Sequence, residues 1–329
     1  FTEDFEQNPY WIQNRIQSKD ARIRLLLSLF ANLKVTDWLT LQARGNLDYS
    51  ADKLRQKFYA STATALCGMN GRYIEMDYQE TQMYGDVMAM VKKQLNDFTL
   101  DVAIGGSIND RITNSTRIDS KNASLKYANV FNLANIVMSS SASIDQKIDA
   151  HYQLQSVFAT AQIGYKEGVF LDLTARNDWS STLAYTKYEK KGFFYPSVGV
   201  SFLPDKWVKM PEWVSFSKLR GAYSIVGNGV PPFITYPVSY VTAGGEILAS
   251  DAAPFAEMKP EMTHSVELGI EWKFLQHRLG LNLTYYRTDT YEQFFKLPAL
   301  AGDKYAYRYV NAGDIRNQGW EITLDATPV

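Results

Sequence analysis

From Leu39 to Ser50 the chain alternates without a break. Leu39, Leu41, Ala43, Gly45, Leu47 and Tyr49 stand at odd positions, and Thr40, Gln42, Arg44, Asn46, Asp48 and Ser50 at even ones. A period of two is that of a β-strand with one apolar and one polar face. Strands of soluble sheets usually run to about five or six residues, so this one is long. Its apolar face must meet either a protein core or lipid, and the rest of the sequence has to say which.

The pattern recurs. Ile23, Leu25, Leu27, Leu29, Ala31 and Leu33 share a face, as do Leu100, Val102, Ile104 and Ile108, then Val157, Ala159, Ala161 and Ile163, then Leu171, Leu173 and Ala175. About eleven strands are predicted, at 22–34, 38–50, 83–93, 97–109, 151–166, 169–179, 195–203, 218–227, 263–274, 278–290 and 317–325. Alternate connections are short: Val35–Asp37, Gln94–Asn96, Glu167–Gly168 and Leu275–His277. Between these hairpins lie the long segments 51–82, 110–150, 180–192, 228–262 and 291–312. A soluble sandwich has no reason to segregate loop lengths in this way, whereas a transmembrane barrel has short turns on one side and long loops on the other. Strand lengths also agree with a tilted span of about 9–11 residues. The fold class expected is all-β, an antiparallel transmembrane β-barrel segment. Leu41, Leu100, Ile163 and Leu173 are then expected to face lipid, and Arg44, Asp101, Arg176 and Arg220 the lumen. Trp38 and Trp272, at short-turn strand ends, suit an aromatic girdle. The connector at 204–216, "PDKWVKMPEWVSF", is the exception to short turns; Pro204 and Asp205 can open a helical turn that Pro211 ends, with Trp207 and Trp213 at the interface.

Composition excludes other classes. No apolar run approaches the ~18 residues of a membrane helix, and the negative mean hydropathy of -0.26 fits a barrel whose polar face dilutes the signal. A net charge of -1 gives no sign of a nucleic-acid partner. Cys67 is the single cysteine, so it has no partner for a disulfide within the chain. His151, His264 and His277 form no ligand-spaced cluster, so neither a metal nor another cofactor is expected. Ser201 and Ser224 lack the glycines of a nucleophile elbow, and "VGNGVPP" lacks the lysine and spacing of a phosphate loop. Glu267 and Glu271 are two strand steps apart on a polar face, where a charged lumen explains them more simply than a glycosidase pair. Nothing marks an enzyme. The opening "FTEDFEQNPYW" has no signal-peptide pattern.

Longer words in the chain carry a family likeness. "FLDLTARNDWSSTL", "FFYPSVGVSFLPDKW", "FSKLRGAYSIVGNG", "MKPEMTHSVELGIEWKFLQHRLGLNLTYYRTDTYEQFF" and "VNAGDIRNQGWEITL", with "NPYWIQNR" and "LKVTDWLTL" before them, resemble the barrel of SusC/RagA-type TonB-dependent outer-membrane transporters of Bacteroidota. The likeness runs through essentially the whole chain. It implies a 22-stranded barrel, of which about eleven strands are expected here, so that 1–329 reads as a partial TonB-dependent receptor β-barrel domain with no plug domain in this chain. No TonB box or terminal aromatic-ended strand is found, and the chain is expected to be a fragment of a longer protein.

The resemblance also implies a function and partners. These are import of oligosaccharides or oligopeptides across the outer membrane, a SusD-like surface lipoprotein over the mouth, and a TonB complex that supplies energy through parts absent here. The alternatives are a siderophore or cobalamin receptor of the same TonB-dependent kind, a non-transporting adhesin barrel, or a soluble carbohydrate-binding module. Trp179, Tyr185, Tyr188, Tyr236 and Tyr240 lie in or beside the long loops amid Ser, Thr and Asn, a mixture that could stack sugar rings and bond their hydroxyls. They are the candidate substrate-binding residues. Packing of the loops against one another or against a partner is the competing role for them.

Overall fold

The β-pattern becomes one sheet. The computed structural model describes residues 7–121, 125–138, 143–241, 247–255, 257–300 and 302–327. A short helix, α1 (Pro9–Arg15), opens it; Asn8 Oδ1 caps the helix by accepting from the Tyr10 amide at 2.9 Å, with Pro9 at the first helical position. The strands that follow are β1 (Ile16–Lys34), β2 (Leu39–Phe58), β3 (Arg72–Leu95), β4 (Phe98–Asp119), β5 (Ser143–Tyr165), β6 (Val169–Ser180), β7 (Phe193–Phe202), β8 (Val214–Asn228), β9 (Tyr240–Val241), β10 (Ile247–Leu248), β11 (Glu261–Phe274), β12 (Leu279–Tyr291), β13 (Phe294–Pro298), β14 (Tyr307–Asn311) and β15 (Ile315–Ala326). Eleven of them form one antiparallel meander in the order β1-β2-β3-β4-β5-β6-β7-β8-β11-β12-β15. The small pairs β9–β10 and β13–β14 stand apart from it, inside long loops. The sheet does not close on itself in this chain: β1 and β15 are its edges.

The eleven expected strands are the eleven observed, and the turns fall where the pattern put them. One end of the sheet carries the connections 35–38, 96–97, 166–168, 203–213 and 275–278; the other carries 59–71, 120–142, 181–192, 229–260 and 292–314. The 203–213 connector does open with a helical turn, Pro204–Lys206. Two expectations about length fail. Segments 51–82 and 110–150 are not mainly loop, because β2, β3, β4 and β5 continue through them, and β1 begins at Ile16 instead of residue 22. The segments 228–262 and 291–312 likewise hold the two small hairpins. Alternation stops where both faces of a strand meet water, but backbone pairing does not. Past that point Arg55 pairs with Glu75 on the side that was apolar, and Arg22 pairs with Asp52 on the polar side.

Register keeps the two faces separate across the whole width of the sheet. Val91, Val102, Ala161, Leu173, Val198, Tyr223 and Val266 are successive cross-strand partners in one row. A second row runs Ile163, Leu171, Val200, Gly221, Leu268, Tyr285 and Trp320. The large side chains of this face, such as Leu29, Ile104 and Leu268, remain exposed, so no protein core covers it. The shallow troughs on it, for instance between Ile104, Ala159, Ala161, Ala175 and Val198, are gaps left by small residues among large ones. The buried core sits elsewhere, in two small clusters among the long loops.

At the short-turn end the aromatics gather. Phe98 stacks near Tyr165 at 4.7 Å between ring centroids, Tyr165 near Trp207 at 5.5 Å, and Trp213 on Phe274 at 5.6 Å. Trp38 is exposed at the same end, and the Trp272 indole donates to Ser217 Oγ at 2.8 Å. Gly168 is required where Trp207 crosses the β5–β6 turn, since a Cβ there would lie 1.9 Å from the indole nitrogen.

Candidate functional site: the polar face and its loop cap

Arg44, Asp101, Arg176 and Arg220 all project from the face opposite Leu41, Leu100, Ile163 and Leu173, as strand register requires. The side chains of two of them, Arg44 and Arg176, reach one row. Arg44 Nε lies 3.0 Å from the carboxylate of Asp86, its neighbour on β3, and Asp86 is only 4% exposed. The row continues through Ser107, Ser156 and Asp178. Arg176 bridges its far part, donating from Nη2 to Ser156 Oγ at 2.8 Å and from Nε to Asp178 at 2.6 Å. Buried carboxylates each holding an arginine avoid the cost of an unpaired charge. Asp101 and Arg220 are not part of this row. Asp101 faces Lys92 at 3.5 Å, and Arg220 donates to Thr284 Oγ1 at 2.6 Å with Glu267 at 3.4 Å.

A cap of loops lies over the same face. Phe193 and Tyr195 of β7 pair in register with Asp178 and Arg176, so they stand on the polar side of the sheet. Phe193 joins Leu183, Val230, Ile234 and Met258 in a buried cluster, against which Tyr188, Tyr195, Phe255, Phe294 and Tyr309 pack. Two long loops and the β13–β14 hairpin of a third are thereby tied together. Alternation offered a signal for this cap: aromatic residues at 193 and 195 occupy polar-face positions, where a water-facing strand would not place them.

The candidate aromatics separate into different roles. Tyr185 and Tyr236 come together from two loops, with ring centroids 4.9 Å apart and planes 37° apart, and both are well exposed at 71% and 56%. The Tyr185 amide donates to Glu189 at 2.8 Å, which fixes the loop beneath it. Tyr188 is packed on the cap's core, 6.4 Å from Phe193, and serves the loop. Trp179 shares the apolar face with Leu171 and Leu173, and its indole donates to the Lys190 carbonyl at 3.0 Å. It therefore stands apart from the exposed pair. Tyr240 begins β9; its side chain lies outside the described residues.

The second loop cluster is held by charge as well as packing. Tyr73, Leu125 and Ile136 form its core with Ile118 and Phe131. Asp119, 1% exposed, accepts from Arg72 on both oxygens at 2.8 Å, from Arg117 at 2.8 Å and from the Lys121 amide at 2.8 Å. Burial pushes the Asp119 carboxyl up, but the Arg72 hydrogen bonds, the Lys121 amide and the two guanidinium charges outweigh it and hold the group below the usual carboxylate range. Burial pushes the Tyr73 phenol up, to about 12, with its hydrogen bond to Glu75 adding to the effect. Cys67, 2% exposed in the loop between β2 and β3, has its thiol raised by burial and is thus a structural residue rather than a reactive one. The helix α1 leans on this loop through Trp11 Nε1, which donates to Thr62 Oγ1 at 2.9 Å. His151 sits 2.7 Å from Asp110 and His264 2.7 Å from the Tyr223 hydroxyl. Among the described residues no three His, Cys, Asp or Glu side chains converge as a metal site would need.

A long up-and-down antiparallel sheet with one bare apolar face, one charged face, short turns at one end and interlocked loops at the other is the wall of a transmembrane β-barrel. The sequence profile of the family described as TonB dependent receptor-like, beta-barrel matches residues 2–327, and the chain belongs to that family. Among relatives, TonB-dependent receptor P26 of Formosa agariphila is 26% identical over 190 residues, which cover 54% of this chain and 19% of P26. Among solved structures, the RagAB peptide transporter superposes with a TM-score of 0.81 at 18% identity, over 98% of this chain and 36% of that one. FpvA of P. aeruginosa, in a structure with bound pyoverdine, superposes less well, at 0.56 and 13% identity, over 94% of this chain and 38% of that one. The chain thus spans well under half the length of these three proteins. The resemblance to SusC/RagA-type barrels is borne out in family and fold.

Proposed function

We propose that this chain is part of the barrel wall of an outer-membrane TonB-dependent importer, with its apolar face in lipid, its polar face toward the lumen and its long loops outside the cell. The observation that carries the orientation is the pair of unlike faces kept in register over eleven strands. An adhesin barrel could share that wall. The loop cap over the polar face favours a gated lumen instead, since it leaves Tyr185 and Tyr236 at the entrance. The better superposition on the RagAB peptide transporter than on a siderophore receptor supports an oligomeric nutrient, with a SusD-like lipoprotein over the mouth and a TonB complex as the energy source. Between nutrients the exposed tyrosine pair supports an oligosaccharide: two adjacent ring faces can stack on the C–H faces of sugar rings, leaving the hydroxyls to polar neighbours such as Glu189. An oligopeptide, as the RagAB name states for that protein, is the second reading, favoured by the fold match.

Two measurements test this. Single cysteines introduced at Tyr127, Tyr185 and Phe233 of the full-length parent should label with an impermeant reagent on intact cells, and those at Asp37 and Gln276 should not; the reverse pattern overturns the orientation. Tyr185→Ala combined with Tyr236→Ala should weaken glycan uptake about 10-fold or more, given stacking of ~1–3 kcal/mol for comparable ring contacts. Unchanged uptake of glycans with an intact lipoprotein complex, alongside impaired uptake of peptides, would move the assignment to peptides.

A further inference from the structure

On β4 the positions of Asp101, Ser107 and Asn109 lie on the polar face, and Arg111 follows them there. Both neighbours of β4 are present: β3 sets Gln82 opposite Arg111, and β5 sets Tyr152 opposite it. The guanidinium lies over the Tyr152 ring, 5.2 Å from its centroid. Around it on the same face stand Tyr84 and Glu80 of β3, Leu154 and Ala150 of β5, and Asn109 and Thr113 of β4 itself. Glu80 is the carboxylate of that set, and it accepts from the Tyr78 hydroxyl. Gln82 donates to Asn109 at 2.9 Å. Arg111 makes no ion pair and no side-chain hydrogen bond among the described residues. The other arginines on this face of the interior strands differ: Arg44, Arg72, Arg117, Arg176 and Arg220 each stand in ion-pair range of a carboxylate.

A ring under a guanidinium occupies its face and leaves its N–H edge free. That edge is the one that grips a carboxylate through two parallel hydrogen bonds. The stack also holds the side chain in place, which lowers the ordering cost of binding. Position adds to this. Thirteen steps separate Phe98 from Arg111, a rise of about 33 Å at ~3.3 Å per residue and a tilt of ~40°. The apolar band is only ~25 Å tall, so Arg111 is at the mouth. The Gln153 amide donates to Ser181 Oγ at 2.9 Å, and the loop leading to Tyr185 is thereby anchored one residue from Tyr152. Glu189 accepts from the Tyr185 amide, which disfavours an anion at the tyrosine pair. An acid group belongs at Arg111, and the ring faces of a sugar at Tyr185 and Tyr236.

We propose that Arg111, seated on Tyr152, is a second subsite of the mouth that takes the carboxylate of an acidic sugar unit, so that the imported oligosaccharide contains uronic acids. The inference rests on the glycan reading above and deepens it.

The test uses the full-length parent in neutral detergent, with any subunit that accompanies it, and reads binding by calorimetry. The probes are uronate hexasaccharides of several linkages, the same sugars with their carboxyls reduced to alcohols, and hexaglutamate. At least one uronate should bind more tightly than its reduced form. Arg111→Gln should weaken that uronate about tenfold or more, as loss of a charge-assisted bidentate contact requires, and leave the reduced sugar unchanged. Arg111→Lys keeps the charge but loses the fork, and should fall between the two. Added salt should weaken uronate binding more in the parent than in Arg111→Gln, and Lys166→Gln at the short-turn end should change nothing. No preference for any uronate over its reduced form, uronate binding unmoved by Arg111→Gln, or Arg111-dependent binding of hexaglutamate alone would each overturn the proposal. Heat-dependent gel mobility of every variant establishes that the barrel is folded. The two readings fail separately. If Tyr185→Ala with Tyr236→Ala weakens the reduced sugars while Arg111→Gln leaves the uronates unaffected, only the subsite has failed; if hexaglutamate binds and no sugar does, the glycan reading has failed with it.

Discussion

Ile104, Thr160 and Leu41 differ in face and in depth, and each difference has a cost attached. Ile104 projects from the apolar face six positions above the start of β4, about halfway through a band ~25 Å tall. Ile104→Arg should destabilise the folded barrel by ~2–4 kcal/mol, whereas Leu41→Arg, two positions from the start of β2, should cost only ~0–1 kcal/mol. Thr160→Arg, on the polar face, should be mild. Folding into vesicles under denaturant, read by gel mobility, orders the three; equal costs for Ile104 and Thr160 would refute the assignment of faces. Asp119 makes a pH prediction of known sign. Its carboxyl titrates below the usual carboxylate range when folded, so its contribution is complete above that range and disappears as pH falls through the lowered folded value. Asp119→Asn should remove ~1.5–3 kcal/mol of local stability at neutral pH and flatten that acid dependence. Hydrogen exchange at the Tyr73 and Lys121 amides reports it.

Elements in this fold are longer than lipid alone requires. β3 and β5 pass well beyond any membrane span because cross-strand ion pairs and the Tyr73–Leu125–Ile136 cluster continue to reward pairing in water. At the other end the connector between β7 and β8 packs on the β5–β6 turn. Trp207 packs over Gly168, so Gly168→Ala must push the indole away from the β5–β6 turn. A cost of ~1–3 kcal/mol is expected for such overpacking, together with a shift in Trp207 fluorescence that Gly106→Ala on β4, without a comparable side-chain clash, should not produce. No change in that emission would show that the connector is free of the turn.

For the whole molecule the open edges matter most. Every interior strand bonds on both sides, but β1 and β15 present unpaired backbone groups along one side each, and hydrocarbon offers those groups no partner. This chain expressed by itself should therefore aggregate and show no heat-dependent gel mobility, while the same residues within the full-length parent should show it. Stable insertion of the isolated chain as a monomer would contradict the picture of an incomplete wall.

Alternation alone determined the number of strands, their order of faces and which end carries the turns, because in lipid every strand must keep one apolar side and no loop can hide within the membrane. Leu173 and Arg176 could be assigned to opposite faces from their parity. Where strands leave lipid that constraint ends, and residues 51–58, 72–82 and 110–119 gave no periodic sign of the pairing they make. The cap was still less legible: Leu183, Val230, Met258 and Phe294 are far apart in the chain, and only folding of the loops over the polar face joins them. The same step separated the candidate aromatics. Trp179 remained on the apolar face and Tyr188 entered the core, while Tyr185 met Tyr236, because a side chain's role in a loop depends on which other loop reaches it.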